Sequence, residues 1–482
     1  MKYKNFICVI CAALAGCILL SGCRSRTPSD AEQVPYPWDS VTLSYQEHTY
    51  TYSDGFVYET GSFNRDMAIT ALFLTQAAFG TGQYDEGGDA PLQEMLTDMG
   101  FADYSSFGYD QSPGADTIAA GFARRTATGP DGEFTILCAA IRGGNYGCEW
   151  AGNFTVGTGR DHAGFDTAAE TVYRELQSYA DGLDIRGNVI VWTTGYSRAA
   201  AVSNLLAGKI VQGETLGGHA ARVCAYTYET PAASRDPERS DSRYQGIYNI
   251  VAEEDIVTLV APAQFGYGRY GTDVILPALT DTAVTENVGI AYNTLTGAQL
   301  PDFPSNQAQV LADFIAYLCE RVQSVERYAQ DCEEAMRDIM IMVNTGLNTK
   351  SVLTCTEDFL TTLTSLSSEQ VSGKTGQALV DSLTLAYYNN LLDVLNLTEH
   401  RDFCTGMLRF LFDADESADT PLLVRSLLNM ITSQYMDISL RDLSRGALEL
   451  TPQIAGLLPY LSTVGAAHMP DLCAARLMAL PA

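Results

Sequence analysis

Ser197 lies between an apolar run and an alanine-rich run, and this placement would let it act as a nucleophile. Residues 189–194 form the short apolar run typical of a parallel strand buried on both faces, and residues 199–206 predict a helix. The pentad Gly195-Tyr196-Ser197-Arg198-Ala199 would therefore occupy a sharp strand-to-helix turn that raises the serine Oγ above the sheet. The usual pentad ends in glycine, whereas this one ends in alanine. The predicted strand and helix on either side, rather than the pentad alone, therefore indicate a nucleophile. An ordinary strand-to-helix turn is the alternative.

The elements around this serine alternate between helix and strand from about residue 64. The pattern predicts helices that begin near 67, 92 and 167, and strands at 117–125, 134–142, 222–228 and 246–251. Such alternation predicts an α/β fold, in which helices cover both faces of an open, mostly parallel sheet.

Four segments together resemble the class 3 (fungal-type) lipases of the α/β-hydrolase superfamily. They are the turn with its strand and helix (191–201), the strand 136–144 with Trp150 eight residues after its arginine, His162-Ala163-Gly164-Phe165, and the stretch 249–271. Their order and spacing are more specific than the pentad, which departs from the family at Tyr196 (usually His) and Ala199 (usually Gly). The resemblance implies an α/β-hydrolase core with serine, acid and histidine in that order along the chain.

The acid of such a site would be Asp255, which lies in the matching stretch. It follows the strand predicted at 246–251, where a loop can direct a carboxylate toward an imidazole. An acid in this role holds the histidine in one tautomer and stabilises the imidazolium. Glu253 and Glu254 could replace it, and a solvated acidic loop is a further alternative.

The base would be one of five histidines, at positions 48, 162, 219, 400 and 468. The order of serine, acid and histidine leaves His400 and His468, because the other three precede Asp255. The stretch 467–472 (Ala-His-Met-Pro-Asp-Leu) resembles the H-x-P-x-x-Y end of these lipases, with leucine in place of the aromatic residue. We therefore expect His468 to be the base. His400, or a merely structural His468, is the alternative.

The resemblance also implies an oxyanion hole made of two backbone N–H groups. One would belong to Arg198, directly after the nucleophile, and the other to Gly144, at the end of the strand. The family often carries serine or threonine at this second position, whose hydroxyl adds a donor that glycine lacks. A flexible turn at Gly143-Gly144 is the alternative.

The charge balance excludes some classes of partner. Asp and Glu number 58 against 29 Lys and Arg, for a formal net charge of −29, which repels nucleic acid and argues against polybasic attachment to anionic lipid. The eight cysteines that follow Cys23 show no C-x-x-C pair and no Cys/His metal spacing, so we expect no metal. No cofactor is expected either, because triad side chains suffice for acyl transfer. Disulfide pairing and oligomeric state stay open.

The sequence of residues 1–22 predicts a lipoprotein signal peptide. A short basic start precedes the apolar stretch 6–20, which is too short to span a membrane comfortably. The sequence Leu-Ser-Gly-Cys ending at Cys23 resembles a bacterial lipobox, in which that cysteine is lipidated and becomes the mature N-terminus. A match ending at Cys17 and an uncleaved anchor helix are the alternatives. Residues 23–60 would then be anchor and linker, which predicts an extracytoplasmic protein lipid-anchored to the bacterial cell membrane.

Beyond about residue 300 the strand signal fades. Apolar residues recur every three or four positions from 311 to 343, which predicts a long amphipathic helix, and helical segments continue to about 455. The predicted domains are therefore a hydrolase core at 61–300, a helical insertion at 301–455, and a segment at 456–482 that returns His468 to the core.

This insertion is a candidate cap over the nucleophile. Segments inserted between the acid and the histidine emerge at the carboxyl edge of such a sheet, where apolar helix faces could cover an acyl chain. We expect residues near 305–345 or 420–460 in the pocket wall, with a self-contained helical domain as the alternative.

Together these patterns predict a serine hydrolase that cleaves carboxylic esters through an acyl-enzyme. Acyl-chain length, natural substrate, and preference for ester over amide or thioester are left open, because fold does not fix substrate. A rival from another class is a non-catalytic surface lipoprotein that uses a hydrolase scaffold to bind glycan or protein. Two features favour this non-catalytic alternative: Ala199 stands where the pentad usually has glycine, and His468 is far from Ser197 along the chain.

Overall fold

A computed structural model describes residues 36–46, 48–79, 88–109, 117–143, 149–259, 261–330, 332–333 and 460–480. The signal peptide 1–22, Cys23, Gly144, His400 and most of the predicted insertion lie outside the described residues, so the statements made about them above stay predictions. In the described part of the chain, no helix has both the length and the hydropathy needed to span a bilayer.

The chain divides into two compact units. The larger consists of Ala15–Ile315 together with Ser462–Ala482, and the other of Met1–Leu14 together with Ala316–Leu461. His468 therefore belongs to the same unit as Ser197, although 271 positions separate them in the chain. The domain bounds predicted above stay predictions.

The described residues of the larger unit form two sheets. The strands are β1 (Ser40–Tyr45), β2 (His48–Ser53), β3 (Ala102–Phe107), β4 (Ala119–Gly129), β5 (Gly132–Arg142), β6 (Asn188–Tyr196), β7 (Thr215–Leu216), β8 (His219–Tyr228), β9 (Ile247–Val251) and β10 (Thr272–Ile275). Strands β1 and β2 form an antiparallel hairpin, and the others form one sheet in the order β10-β9-β8-β6-β5-β4-β3, with β7 beside β8. Strands β5, β6, β8, β9 and β10 run parallel, whereas β4 is antiparallel to both of its neighbours.

Helices cover both faces of this sheet. Within the described residues they are α1 (Asp54–Tyr58), α2 (Arg65–Ala78), α3 (Ala90–Asp98), α4 (Ala163–Asp181), α5 (Arg198–Val211), α6 (Thr282–Thr296), α7 (Gln307–Val322), α8 (Leu461–Ala467) and α9 (Pro470–Met478). Residues of α2, α3 and α9 pack in the apolar layer on one face, and residues of α4 and α5 pack on the other. This architecture confirms the predicted α/β fold.

Strand β6 shows why the central strands have continuous apolar sequences. Its side chains alternate between the two layers, with Ile190 and Trp192 in the first layer and Val189 and Val191 in the second. Both layers exclude water, so both sets of alternating positions are apolar from Val189 to Trp192.

The predicted single helix over 311–343 is wrong at its centre. Helix α7 ends at Val322, because Gln323 adopts a left-handed backbone conformation with φ +66° that no α-helix continues through. A new helical turn then begins after Ser324, whose hydroxyl oxygen accepts the Arg327 N–H in the manner of an N-cap.

Parallel pairing brings three strand ends to one edge of the sheet. Tyr196 at the end of β6 pairs with Tyr228 at the end of β8, and Tyr228 pairs in turn with Ile250 of β9. The residues that follow these strands therefore meet at the carboxyl edge, which is where open α/β sheets form their sites.

Candidate active site

Ser197 occupies a strained turn between β6 and α5. Its backbone angles are φ +60° and ψ −126°, a conformation that costs a non-glycine residue energy and persists only where the surroundings enforce it. The surroundings here are backbone hydrogen bonds: the Ser197 N–H donates to the Tyr228 carbonyl at 2.9 Å, and the Ser197 carbonyl accepts from the N–H groups of Ala200 and Ala201.

The small residues beside the serine explain why this pentad tolerates alanine. A Cβ added at Gly195 would collide with the Ala199 carbonyl and lie 3.0 Å from the Ala199 Cβ, so position 195 must be glycine. With glycine there, the buried Ala199 methyl fits without displacing the strand. The departure from the usual pentad is therefore accommodated by local packing.

The structure brings Ser197, His468 and Asp255 together. The Nε2 atom of His468 lies 2.8 Å from the Ser197 Oγ, and its Nδ1 lies 2.6 Å from Oδ2 of Asp255. Asp255 is fully buried, and its Oδ1 accepts the Val257 N–H at 2.9 Å. With a proton on Nδ1, the imidazole can donate to the carboxylate and accept the serine proton at Nε2.

Two contacts hold the backbone of His468 beside the turn. The residue lies between α8 and α9, and its N–H donates to the Gly465 carbonyl. Its own carbonyl accepts the hydroxyl of Tyr196 at 3.1 Å. The role of Tyr196 was missed by sequence reasoning, which noted it only as a departure within the pentad.

Glu254 is not an alternative acid for the imidazole, because a buried ion pair already engages its carboxylate. Oε2 of Glu254 lies 3.0 Å from Nη1 of Arg476 in α9, and its Oε1 accepts the N–H of Leu279. The two charged side chains are 5% and 1% exposed. Glu253, the other alternative, is exposed. Of the three neighbouring acids, Asp255 is the one that faces His468.

The Glu254 main chain is tied to the same C-terminal segment. Its carbonyl accepts from Nε2 of Gln307 at 2.9 Å, and Oε1 of Gln307 accepts the hydroxyl of Thr463 in α8 at 2.6 Å. The loop that carries Asp255 is thus joined to both helices that flank His468. Nothing in the sequence pattern singled out Arg476, although an arginine within an apolar helix is a signal for a buried partner.

Replacing Arg476 by methionine should reduce the free energy of unfolding by about 3–5 kcal/mol, because it leaves the buried Glu254 carboxylate uncompensated. Urea denaturation measures this loss. The matched control is Arg186→Met, which breaks the Asp184 pair whose side chains are 60% and 77% exposed, and which should cost less than about 1 kcal/mol. Equal losses in the two variants would contradict a structural role for the buried pair.

The structure places His162 away from the serine, as the N-cap of α4. Its Nδ1 accepts the Phe165 N–H at 3.4 Å, and its Nε2 faces the Asn153 carbonyl at 3.1 Å, which assigns the proton to Nε2. Complete burial lowers the pKa of His162 to about 3, because desolvation disfavours the imidazolium. This histidine is a neutral structural cap.

His162 should make the protein less stable as the pH falls from about 6.5 to about 3. In that window the unfolded chain binds a proton that the folded chain excludes, so the free energy of unfolding falls by about 1.4 kcal/mol per pH unit. His162→Asn keeps a capping side chain and should flatten this decline in urea titrations at pH 7, 6, 5 and 4. His219→Asn, at an exposed position, is the control; equal acid slopes in His162→Asn and the unsubstituted protein would contradict the assignment.

Polar contacts connect Arg198, one of the two predicted oxyanion donors, to Arg142 and Glu149. Arg198 is the first residue of α5, where backbone N–H groups point out of the amino end of the helix. Its buried guanidinium donates to the Thr117 carbonyl at 3.0 Å, and the Thr117 hydroxyl donates to Glu149 at 3.0 Å. Glu149 forms a buried pair with Arg142 at 2.8 Å, which joins the two ends of the segment that contains Gly144.

No protein-family model and no curated protein matches the chain. Among solved structures, it is similar to the triacylglyceride lipase of Rhizomucor miehei, with 18% identity and a TM-score of 0.28, over 49% of this chain and 83% of that chain. It is also similar to the Rhizomucor miehei lipase propeptide complex, with 18% identity and a TM-score of 0.26, over 52% of this chain and 77% of that one.

Proposed function

We propose that the protein is a serine hydrolase that cleaves carboxylic esters through an acyl-enzyme. The observation that carries this proposal is the continuous line of hydrogen bonds from the Ser197 Oγ through His468 to Asp255. Three elements distant in the chain supply these groups, and the backbone of Ser197 is strained at its turn.

In the first half of the reaction, the Ser197 Oγ attacks the ester carbonyl carbon while Nε2 of His468 takes its proton. The proton on Nδ1 stays hydrogen-bonded to Asp255, whose carboxylate stabilises the imidazolium. The carbonyl oxygen becomes an oxyanion, which the backbone N–H groups of Arg198 and Gly144 would bind. His468 then returns its proton to the leaving alcohol as the carbon–oxygen bond breaks.

In the second half, water replaces the alcohol. His468 takes a proton from the water as its oxygen attacks the acyl carbon, and the second oxyanion uses the same two amides. Collapse of this intermediate releases the carboxylic acid, and the proton returns to the Ser197 Oγ. Protein side chains and backbone amides supply every group in this scheme, so it requires no cofactor.

The substrate class we propose is a carboxylic ester, with lipid esters included because of the resemblance to class 3 lipases. We further propose that Cys23 is lipidated and that the hydrolase acts outside the cytoplasm, close to a membrane that it reaches through this anchor. The helical insertion remains a proposed cap.

The features that favoured a non-catalytic scaffold have local explanations. Packing against Gly195 accounts for the alanine at position 199, and the segment that carries His468 belongs to the larger unit despite its distance along the chain. A scaffold that only binds a partner has no need of a histidine hydrogen-bonded to a strained serine.

A fluorophosphonate probe tests the proposal directly. The purified protein should react with the probe, and mass spectrometry should locate the adduct on Ser197. Incubation with p-nitrophenyl esters of increasing acyl length, and with matched amide and thioester substrates, then defines the preferred leaving group and chain. Absence of labelling at Ser197, together with no turnover of any of these substrates, would instead support the binding scaffold.

A further inference from the structure

Glu229 is a buried carboxyl group that the proposed reaction does not use. It directly follows Tyr228, whose carbonyl holds the Ser197 N–H, and its own N–H donates to the Ile250 carbonyl at 2.8 Å. Its backbone has φ +44°, a left-handed conformation that is costly for a residue with a side chain. Only 1% of the residue is exposed. A strained, dehydrated acid next to the nucleophile's strand needs a physical reason.

The Glu229 carboxyl lies beside the loop that carries Asp255. Oε2 of Glu229 accepts the Ala252 N–H at 2.9 Å. The carbonyl of Ala252 accepts the Asp255 N–H at 3.2 Å. Ala252 therefore binds both residues, and both carboxyl groups are buried at this turn. The other ionisable groups that face Glu229 come from α9: the buried Cys473, and Arg476, whose Nη1 is bound by Glu254.

Two buried carboxyl groups held at one turn disfavour a negative charge on both, so one of them is expected to carry a proton. The negative charge is better stabilised on Asp255, because its two carboxylate oxygens face the Val257 N–H and Nδ1 of His468. Glu229 has a single backbone donor, that of Ala252. Burial, followed by the charge of Asp255, raises the pKa of Glu229 well above its ordinary value. The proton therefore belongs to Glu229.

We propose that Glu229 carries a proton at neutral pH and donates it in a hydrogen bond to the Asp255 carboxylate. Glu229 is thus a positioning residue: it fixes the orientation of Asp255, which in turn orients His468. This inference rests on the proposed function insofar as it concerns catalysis, whereas the location of the proton is a property of the folded chain.

The first test compares two substitutions through the pH dependence of kcat/KM. Glu229→Gln is neutral, has the same shape, and can both accept from Ala252 and donate to Asp255. It should therefore keep kcat/KM within about threefold and leave the acidic limb of the profile in place. Glu229→Leu removes the donor and should lower kcat by about tenfold or more, with a smaller effect on KM. If Glu229 were ionised, Glu229→Gln would delete a negative charge beside Asp255 and move the acidic limb by roughly one pH unit or more, which would overturn the proposal.

Infrared spectroscopy provides a readout that does not depend on activity. The unsubstituted protein at neutral pH should show the carbonyl band of a protonated carboxylic acid, and Glu229→Gln should lose it. If Glu229→Gln does not fold, Asp255→Asn serves instead, because it replaces the acceptor of the Glu229 hydroxyl and should shift the frequency of the same band.

The outcomes separate this inference from the proposed function. An active esterase without the band would overturn the shared proton and leave the triad intact. A protein that shows the band but neither hydrolyses esters nor reacts with a fluorophosphonate would overturn the proposed function and leave the shared proton standing.

Discussion

Ser197→Ala is expected to abolish ester hydrolysis without unfolding the protein. Alanine keeps the Cβ and the backbone conformation of the turn but removes the Oγ, which is the only atom of the residue that enters the covalent step. Losses of about 10³-fold or more are typical when one member of a catalytic triad is removed. Hydrolysis of short p-nitrophenyl esters measures the loss, and urea denaturation tests whether the fold is intact.

A second serine provides the matched control for this experiment. Ser203 lies in α5 and is fully buried, and its hydroxyl is hydrogen-bonded to that of Thr193 at 2.9 Å rather than to a histidine. Ser203→Ala should keep activity within a few-fold and retain fluorophosphonate labelling, whereas Ser197→Ala should lose both. Activity of Ser197→Ala within a few-fold of the unsubstituted protein would rule out this serine as the nucleophile.

His468→Ala should produce a loss of similar size, again about 10³-fold or more. The imidazole must take the proton from the Ser197 Oγ and return it to the leaving alcohol, and in the described residues no other histidine contacts that serine. Labelling by a fluorophosphonate should slow in parallel, because the probe also requires an activated Oγ. The rate of labelling and the turnover of p-nitrophenyl esters measure the two effects independently.

Two other histidines serve as controls for this substitution. His162→Ala should reduce stability but not the activity of the folded fraction, because this residue caps α4 away from the serine. His400→Ala should have little effect on either property. An inactive His400→Ala alongside an active His468→Ala would move the base into the helical insertion and make the C-terminal assignment wrong.

The sequence by itself determined the α/β fold and the position of Ser197 in a turn between a strand and a helix. Central parallel strands such as β6 are buried on both faces, so their continuous apolar sequences are visible without a structure. The turn at Ser197 was visible for a related reason, because only small residues allow a strand and a helix to approach so closely. The edge strands β3 and β10 were not predicted, since each exposes part of its surface and lacks an apolar run.

The resemblance to known lipases narrowed the acid to a loop and the base to two histidines. Only the tertiary structure decided which acid of that loop faces which histidine, because the direction of a loop side chain depends on the backbone and on partners far away in the chain. Glu254 points to Arg476, and Asp255 points to His468, although the two acids are neighbours in sequence.

The residues that support the site were not predicted either, because their partners also lie far away in the chain. Tyr196, Glu229 and Arg476 belong to separate strands, turns and helices, and no local pattern connects them. Their roles follow from burial, since a charged or polar group that is removed from water must find a partner wherever the fold supplies one. Local sequence therefore specified the strained turn, whereas long-range packing determined which groups surround it.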